Sequence, residues 1–232
     1  IISQLPEFNV NVCQLPFWCL TVYYTWKIYK SKKVELYDCM LLGAAAAFGI
    51  LSKYLFIYLL IAIELLFAYL IFFKKSKKFD FKYLVSLEVF FVILIPHIIW
   101  LLNNDFITIK YGFSRAGLDE GQIINHLKYP LLFILKQIGI LIPFLILVWL
   151  LIKKMPKKLN LKDEKLLFLI FINFVPIVLI LMTALITGSK IRTMWMTPFY
   201  LFFGTLFIYL LKTQINIKKI NSFLIGFIFL FL

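Results

Sequence analysis

The chain is predicted to be an all-α integral membrane protein, a multi-spanning helical bundle, and three observations predict it. Eight long apolar stretches run along the sequence, with 63% hydrophobic and only 16% charged residues, outside the range of soluble globular domains. Lysines alternate between plentiful and scarce in the connections: the loops around Lys27 to Lys33, Lys74 to Lys82, Lys153 to Lys165 and Lys212 to Lys219 hold 18 of the 25 Lys and Arg. No P-loop, Gly-rich dinucleotide fingerprint or Ser/His/Asp arrangement marks a soluble catalytic domain.

A spanning helix needs roughly 20 apolar residues and must satisfy its backbone hydrogen bonds internally. On that basis helices are expected at about 12–30, 37–52, 54–73, 83–102, 130–152, 166–187 and 195–211, with a truncated eighth at 220–232. The first closes on the Lys27–Lys33 cluster. The second is short and rich in small residues, from Gly43 to Ala47 and at Gly49, which suits close helix packing. Trp100, Tyr129, Trp195 and Tyr200 sit near the expected interfaces, as aromatic belts do. The last run is too short for a hydrocarbon core of about 30 Å. The chain also opens at Ile1 without a methionine, so a fragment is expected, a single transmembrane domain over 1–232.

Positively charged loops stay in the cytoplasm. The lysine-poor connections, around Lys53, at residues 103–129 and at 188–195, are therefore expected to face outward. A net charge of +14 would suit nucleic acid if it formed a groove. Here the cations flank apolar spans, and anionic lipid headgroups are the more economical partner. Cys13, Cys19 and Cys39 have no metal spacing and read as buried thiols.

Polar chemistry on the outward side starts with Lys53, between two apolar spans. It is either a lysine snorkelling at a helix end or a compact point charge for the phosphate of a lipid carrier. Residues 103–129 are expected to form the only sizeable exterior loop, long enough for a binding loop or lid. His97, Asp105, Glu120 and His126 around it lack a recognised metal-ligand spacing, although a divalent ion is conceivable there. In the third segment, Lys190 and Arg192 precede Trp195. They suit a phosphate or pyrophosphate at membrane depth, or serve as interfacial anchors. Glu64, Glu88 and Lys136 lie within apolar spans, where a charge costs about 2.5–3.5 kcal/mol on insertion scales. Lys136 is expected to share a cavity with Lys53, and the two glutamates to reach water or the Lys74–Lys78 cluster.

Four stretches in order resemble a known family. They are Glu7-Phe8-Asn9-Val10-Asn11 with Leu15-Pro16-Phe17-Trp18; Gly49-Ile50-Leu51-Ser52-Lys53-Tyr54; Pro96-His97-Ile98-Ile99-Trp100 with Asn104-Asp105-Phe106; and Gly188-Ser189-Lys190 with Arg192, Trp195 and Pro198. Together they resemble the dolichyl-phosphate-mannose–protein mannosyltransferases and the bacterial aminoarabinose and galacturonic acid transferases. The resemblance implies a C-type glycosyltransferase fold. It also implies transfer of a sugar from a polyprenyl-phosphate donor to a lipid A, glycan or protein acceptor, on the periplasmic face of a bacterial inner membrane.

By the same resemblance Lys53, Lys190 and Arg192 would bind donor phosphate. Asn11 stands where some relatives place an aspartate. His97, Asn104 and Asp105 would shape the loop or contact acceptor. The family's catalytic carboxylate lies in a first exterior loop that this chain is expected to lack, so the catalytic residue is unknown. A leaving phosphate needs cations and an acceptor needs a base; only the cations are visible. The rival readings are a polyprenyl-lipid flippase or transport protein, with Glu64, Glu88 and Lys136 on its substrate path, and an inactive remnant.

Overall fold

A computed structural model describes residues 9–118, 122–152 and 163–231. Helix α1 (Val10–Lys30) is capped by Asn9, whose side chain accepts from the backbone N–H of Asn11 and Val12, and carries Lys27 and Lys30 in its last turn. Both ends thus complement the helix dipole and its orphan backbone groups. Helix α2 (Leu36–Ser52) follows. The 3-10 turn Tyr54–Phe56 leads into α3 (Ile57–Ala68), and the π-helical Tyr69–Phe73 extends it. Beyond them lie α4 (Lys82–Asn103), α5 (Ile107–Arg115), α6 (Asn125–Leu151) and α7 (Glu164–Thr187). The 3-10 helix Thr193–Tyr200, α8 (Phe203–Leu211) and α9 (Ile220–Phe231) complete the order. No strand occurs among the described residues, only an isolated bridge between Ile152 and Ile215.

The helices lie where the apolar runs predict them. Length and composition qualify four to cross a membrane: Tyr54–Phe73, Lys82–Asn103, Asn125–Leu151 and Glu164–Thr187. A fifth span results if Thr193–Tyr200 and Phe203–Leu211, bent by 47°, act as one. The outward loop departs from expectation. Instead of an irregular connection it contains α5, reached through Asp105 (φ 49°) and Phe106 (φ 55°), both left-handed. Such backbone is uncommon for a non-glycine residue, and here it reverses the chain directly after α4.

Packing explains the small residues of α2. A Cβ on Gly43 would collide with the backbone carbonyl of Ser86 on α4, and one on Gly49 with the Phe56 ring. The main core joins Trp18, Val22 and Tyr29 of α1 to Leu59, Ile63 and Leu66 of α3, Phe168, Ile172 and Ile180 of α7, and Met196 and Phe199 of the 3-10 helix. Helix α1 is built inside out. Its buried face carries Asn11, Gln14, Trp18, Thr21 and Thr25 at spacings of three and four, while Val10, Leu20 and Tyr23 are exposed. Only Cys39 of the three free thiols is buried, and Cys19 is exposed, which corrects the expectation of three buried thiols.

Hydrogen bonds gather the connections at two ends. At the lysine-rich end Lys27 pairs with Asp38 at 2.7 Å and Lys74 with Glu164 at 3.6 Å. Lys77 donates to Ser31 O, Lys82 to Val34 O and Lys219 to Ile152 O. The start of α1, the α2–α3 turn, α5 and the α7–α8 connection meet at the other end.

Candidate functional site

Lys53 is the C-cap of α2, with extended backbone. That conformation ends one helix and starts the next, and it turns the side chain across the lysine-poor end toward α1. Its ammonium donates to Asn11 Oδ1 and lies 5.2 Å from the centre of the Trp195 ring, within cation–π range. No carboxylate pairs with it among the described residues. Burial alone pulls the Lys53 ammonium down from its ordinary range to about 8, because desolvation disfavours the charged form. The cation is thus partly desolvated, oriented and not neutralised.

The floor beneath it is aromatic. Trp18, one face-turn below Asn11 and Gln14, meets Phe56 edge-on at 5.4 Å and Phe199 at 5.1 Å. Gln14 is 1% exposed, and neither atom of its amide has a protein hydrogen-bond partner; the hydroxyl of Ser189 is likewise buried without one. Two unpaired polar groups in an aromatic setting are costly unless something polar answers them.

A second cluster ties the outward helix to this floor. The Tyr54 hydroxyl bonds His97 Nε2 at 2.8 Å and Thr108 Oγ1 at 2.7 Å, as donor to one and acceptor from the other. His97 stacks on Trp100 with ring centres 5.8 Å apart. Lys190 N–H donates to Ala116 O at 2.7 Å, and His126 bonds Leu185 O at 2.9 Å. Gly188, left-handed at the end of α7, packs so close to His126 that a side chain there would press on the ring. Helix α5 is therefore fastened at its start through Thr108 and at its end through Ala116.

The site residues expected from sequence divide into two groups. Lys53, Asn11 and the Trp195 turn that follows Arg192 come together; Trp195 N–H donates to Arg192 O at 3.0 Å. Lys190 is exposed, joined to α5 through its backbone. His97 stands in the Tyr54 cluster rather than beside Lys53. Asn104 is exposed and caps Trp100 O at 2.9 Å, and Asp105 is an exposed turn residue.

Of the conceivable metal set, His97 and His126 are engaged in separate hydrogen bonds, and Glu120 lies outside the described residues. The described residues contain no group of three or more His, Cys, Asp or Glu able to hold an ion. Lys136 does not share the cavity of Lys53: it is exposed, and its neighbour Gln137 faces inward to accept from Tyr200 at 2.5 Å. Glu64 and Glu88 are also exposed, and Lys74 pairs with Glu164 instead.

Sequence reasoning missed Gln14 and Thr108. Gln14 was legible as part of a polar stripe at helical spacing. Thr108 was not, because nothing in the loop announced α5.

Residues 2–100 match the family model of dolichyl-phosphate-mannose-protein mannosyltransferase. The match covers less than half of the chain, from α1 into α4, and agrees there with the resemblance read from the motifs; this part contributes Asn11, Lys53, Tyr54 and His97. That family comprises membrane glycosyltransferases of the C type. No curated protein and no solved structure matches the chain.

Proposed function

We propose that this relative of the mannosyltransferases takes part in moving a sugar from a polyprenyl-phosphate donor to an acceptor at the lysine-poor face. By the positive-inside bias that face is periplasmic, in a bacterial inner membrane. One observation carries the reading: the Lys53 ammonium is drawn out of water, with the neutral Asn11 amide and the Trp195 face as its partners. A half-buried cation without a counter-charge is readily completed by an anion. A lipid phosphate arriving at membrane depth supplies that anion.

Lys53 then holds the leaving phosphate as a point charge. Arg192 and Lys190, in the segment that brings Trp195 over Lys53, serve the phosphate or its entrance. Asn11 orients Lys53, and the aromatic floor keeps water from the ammonium, which strengthens its field. His97, Asn104 and Asp105 shape the loop through which the acceptor approaches. No base is assigned.

A transport role would need Glu64, Glu88 and Lys136 along a shared path. All three are exposed, and none forms an ion pair among the described residues, so nothing favours that reading. In the full chain, Lys53→Ala and Arg192→Ala are expected to abolish sugar transfer from a radiolabelled polyprenyl-phosphate donor without loss from the membrane. Transfer retained by both variants would remove the phosphate assignment.

A further inference from the structure

A groove of about 470 Å³ opens on the opposite half of the bundle, between α1, α7 and α8. Each helix contributes a stretch of the same length: Cys19 to Trp26, Lys165 to Ile172, and Phe202 to Tyr209. At 1.5 Å per residue these stretches are about 10 Å long, roughly the inner two-thirds of one leaflet of a core about 30 Å thick. The groove runs from the lysine-rich surface, where Lys165 stands and Tyr209 donates to Asp163 at 2.5 Å, to the bend between the 3-10 helix and α8. Its walls are apolar almost throughout. Its size lies in the range of small-molecule sites.

The groove's mouth is basic. Lys165 is exposed on its rim, and Lys212 lies 4.5 Å above the Tyr209 ring. Two carboxylates share this end: Asp163, which accepts from Tyr209 and keeps its charge near Lys212, and Glu164, which pairs with Lys74.

We infer that this groove binds one acyl chain of an anionic phospholipid from the lysine-rich leaflet, with the headgroup phosphate on Lys165 and Lys212. An apolar slot about two-thirds of a leaflet deep, open between helices, suits the first part of a chain. A cationic rim at headgroup height selects the anionic lipid, each lysine contributing about 1 kcal/mol. The site lies at the end of the molecule opposite Lys53 and is independent of the donor reading.

Native mass spectrometry of the detergent-solubilised chain tests this with phosphatidylglycerol and phosphatidylcholine as probes. One tightly held phosphatidylglycerol is expected. Lys165→Gln should weaken it about fivefold, as loss of one surface lysine implies, and Thr205→Trp, which fills the slot, should remove it. Cys19, exposed on the groove wall, provides a readout without a groove mutation. In a Cys13→Ser/Cys39→Ala background, phosphatidylglycerol should protect Cys19 from maleimide and phosphatidylcholine should not. Equal retention of the two lipids, undiminished binding by Thr205→Trp, or an unprotected Cys19 would each overturn the inference.

Discussion

The two ends of the bundle use the same residue type in opposite ways. At the lysine-rich end, Lys27 meets Asp38, Lys74 meets Glu164, and Lys77, Lys82 and Lys219 close onto backbone carbonyls. Those charges finish helix ends, and the Lys27 ammonium stays half exposed above its buried partner Asp38. At the other end, Lys53 is desolvated and its partners are an amide oxygen and an indole face. Lys190 and Arg192 likewise form no ion pair among the described residues. Carboxylates answer two of the cations at the lysine-rich end, whereas Lys53 is answered only by neutral groups. Burial and partners, and not the number of lysines nearby, set how strongly a single cation draws an anion.

The sharpest way to break this comparison is to exchange the ends. Lys53→Ala is expected to lower transfer by about a hundredfold or more, the scale of losing a charge-stabilising donor. Lys27→Ala should leave it within about twofold in the protein that folds, because Lys27 stands at the opposite end from Lys53; its cost falls on stability, since Asp38 is left buried and unpaired. Equal losses, read as kcat/KM in membranes, would erase the distinction.

The next effect is pH. Because burial holds Lys53 near 8, its charge is present below that value and lost as pH rises through it. The kcat/KM of the free enzyme should then fall about tenfold between pH 7 and 9. Lys53→Arg, charged throughout, should flatten that fall, whatever it does to the absolute rate. A wild-type profile without the alkaline fall would separate Lys53 from the rate.

Asn11→Ala should cost about tenfold in transfer, the scale of one hydrogen bond to a charged group. The acyl groove should be unaffected, measured as unchanged protection of Cys19.

The smallest effect separates packing from chemistry. Gly43→Ala brings a methyl against the Ser86 carbonyl and should destabilise the chain by about 1–3 kcal/mol in a denaturant titration. Near-native transfer should persist in the fraction that folds, because the contact of Gly43 with Ser86 lies nearly three helical turns from Lys53.

Much of the fold was legible in the residues. Runs of apolar side chains long enough for lipid place the helices, and α2 announces its close approach through Gly43 and the alanines around it. The outward helix α5 was not legible. Its nine residues mix Ile107, Tyr111 and Phe113 with Thr108, Lys110 and Arg115, too short and too polar for a spanning signal. Tertiary bonds from Tyr54 to Thr108 and from Lys190 to Ala116 hold it. The site was legible in part, since a lysine standing alone between two apolar spans drew attention to Lys53. Lys136 did not belong beside it, because position along a helix does not say which way a side chain faces.

Sequence by itself determined the all-helical membrane class, the positions of the long apolar helices and the contrast between basic and sparse connections. Hydrophobic length and charge are additive along the chain and need no partner to be read. Tertiary structure alone decided that Asn11, Lys53 and Trp195 meet, that Gln14 is buried without a protein partner, and that Cys19 lines an open groove. Those outcomes depend on helix rotation and on contacts between residues far apart in sequence, which pairwise packing sets and no local pattern encodes.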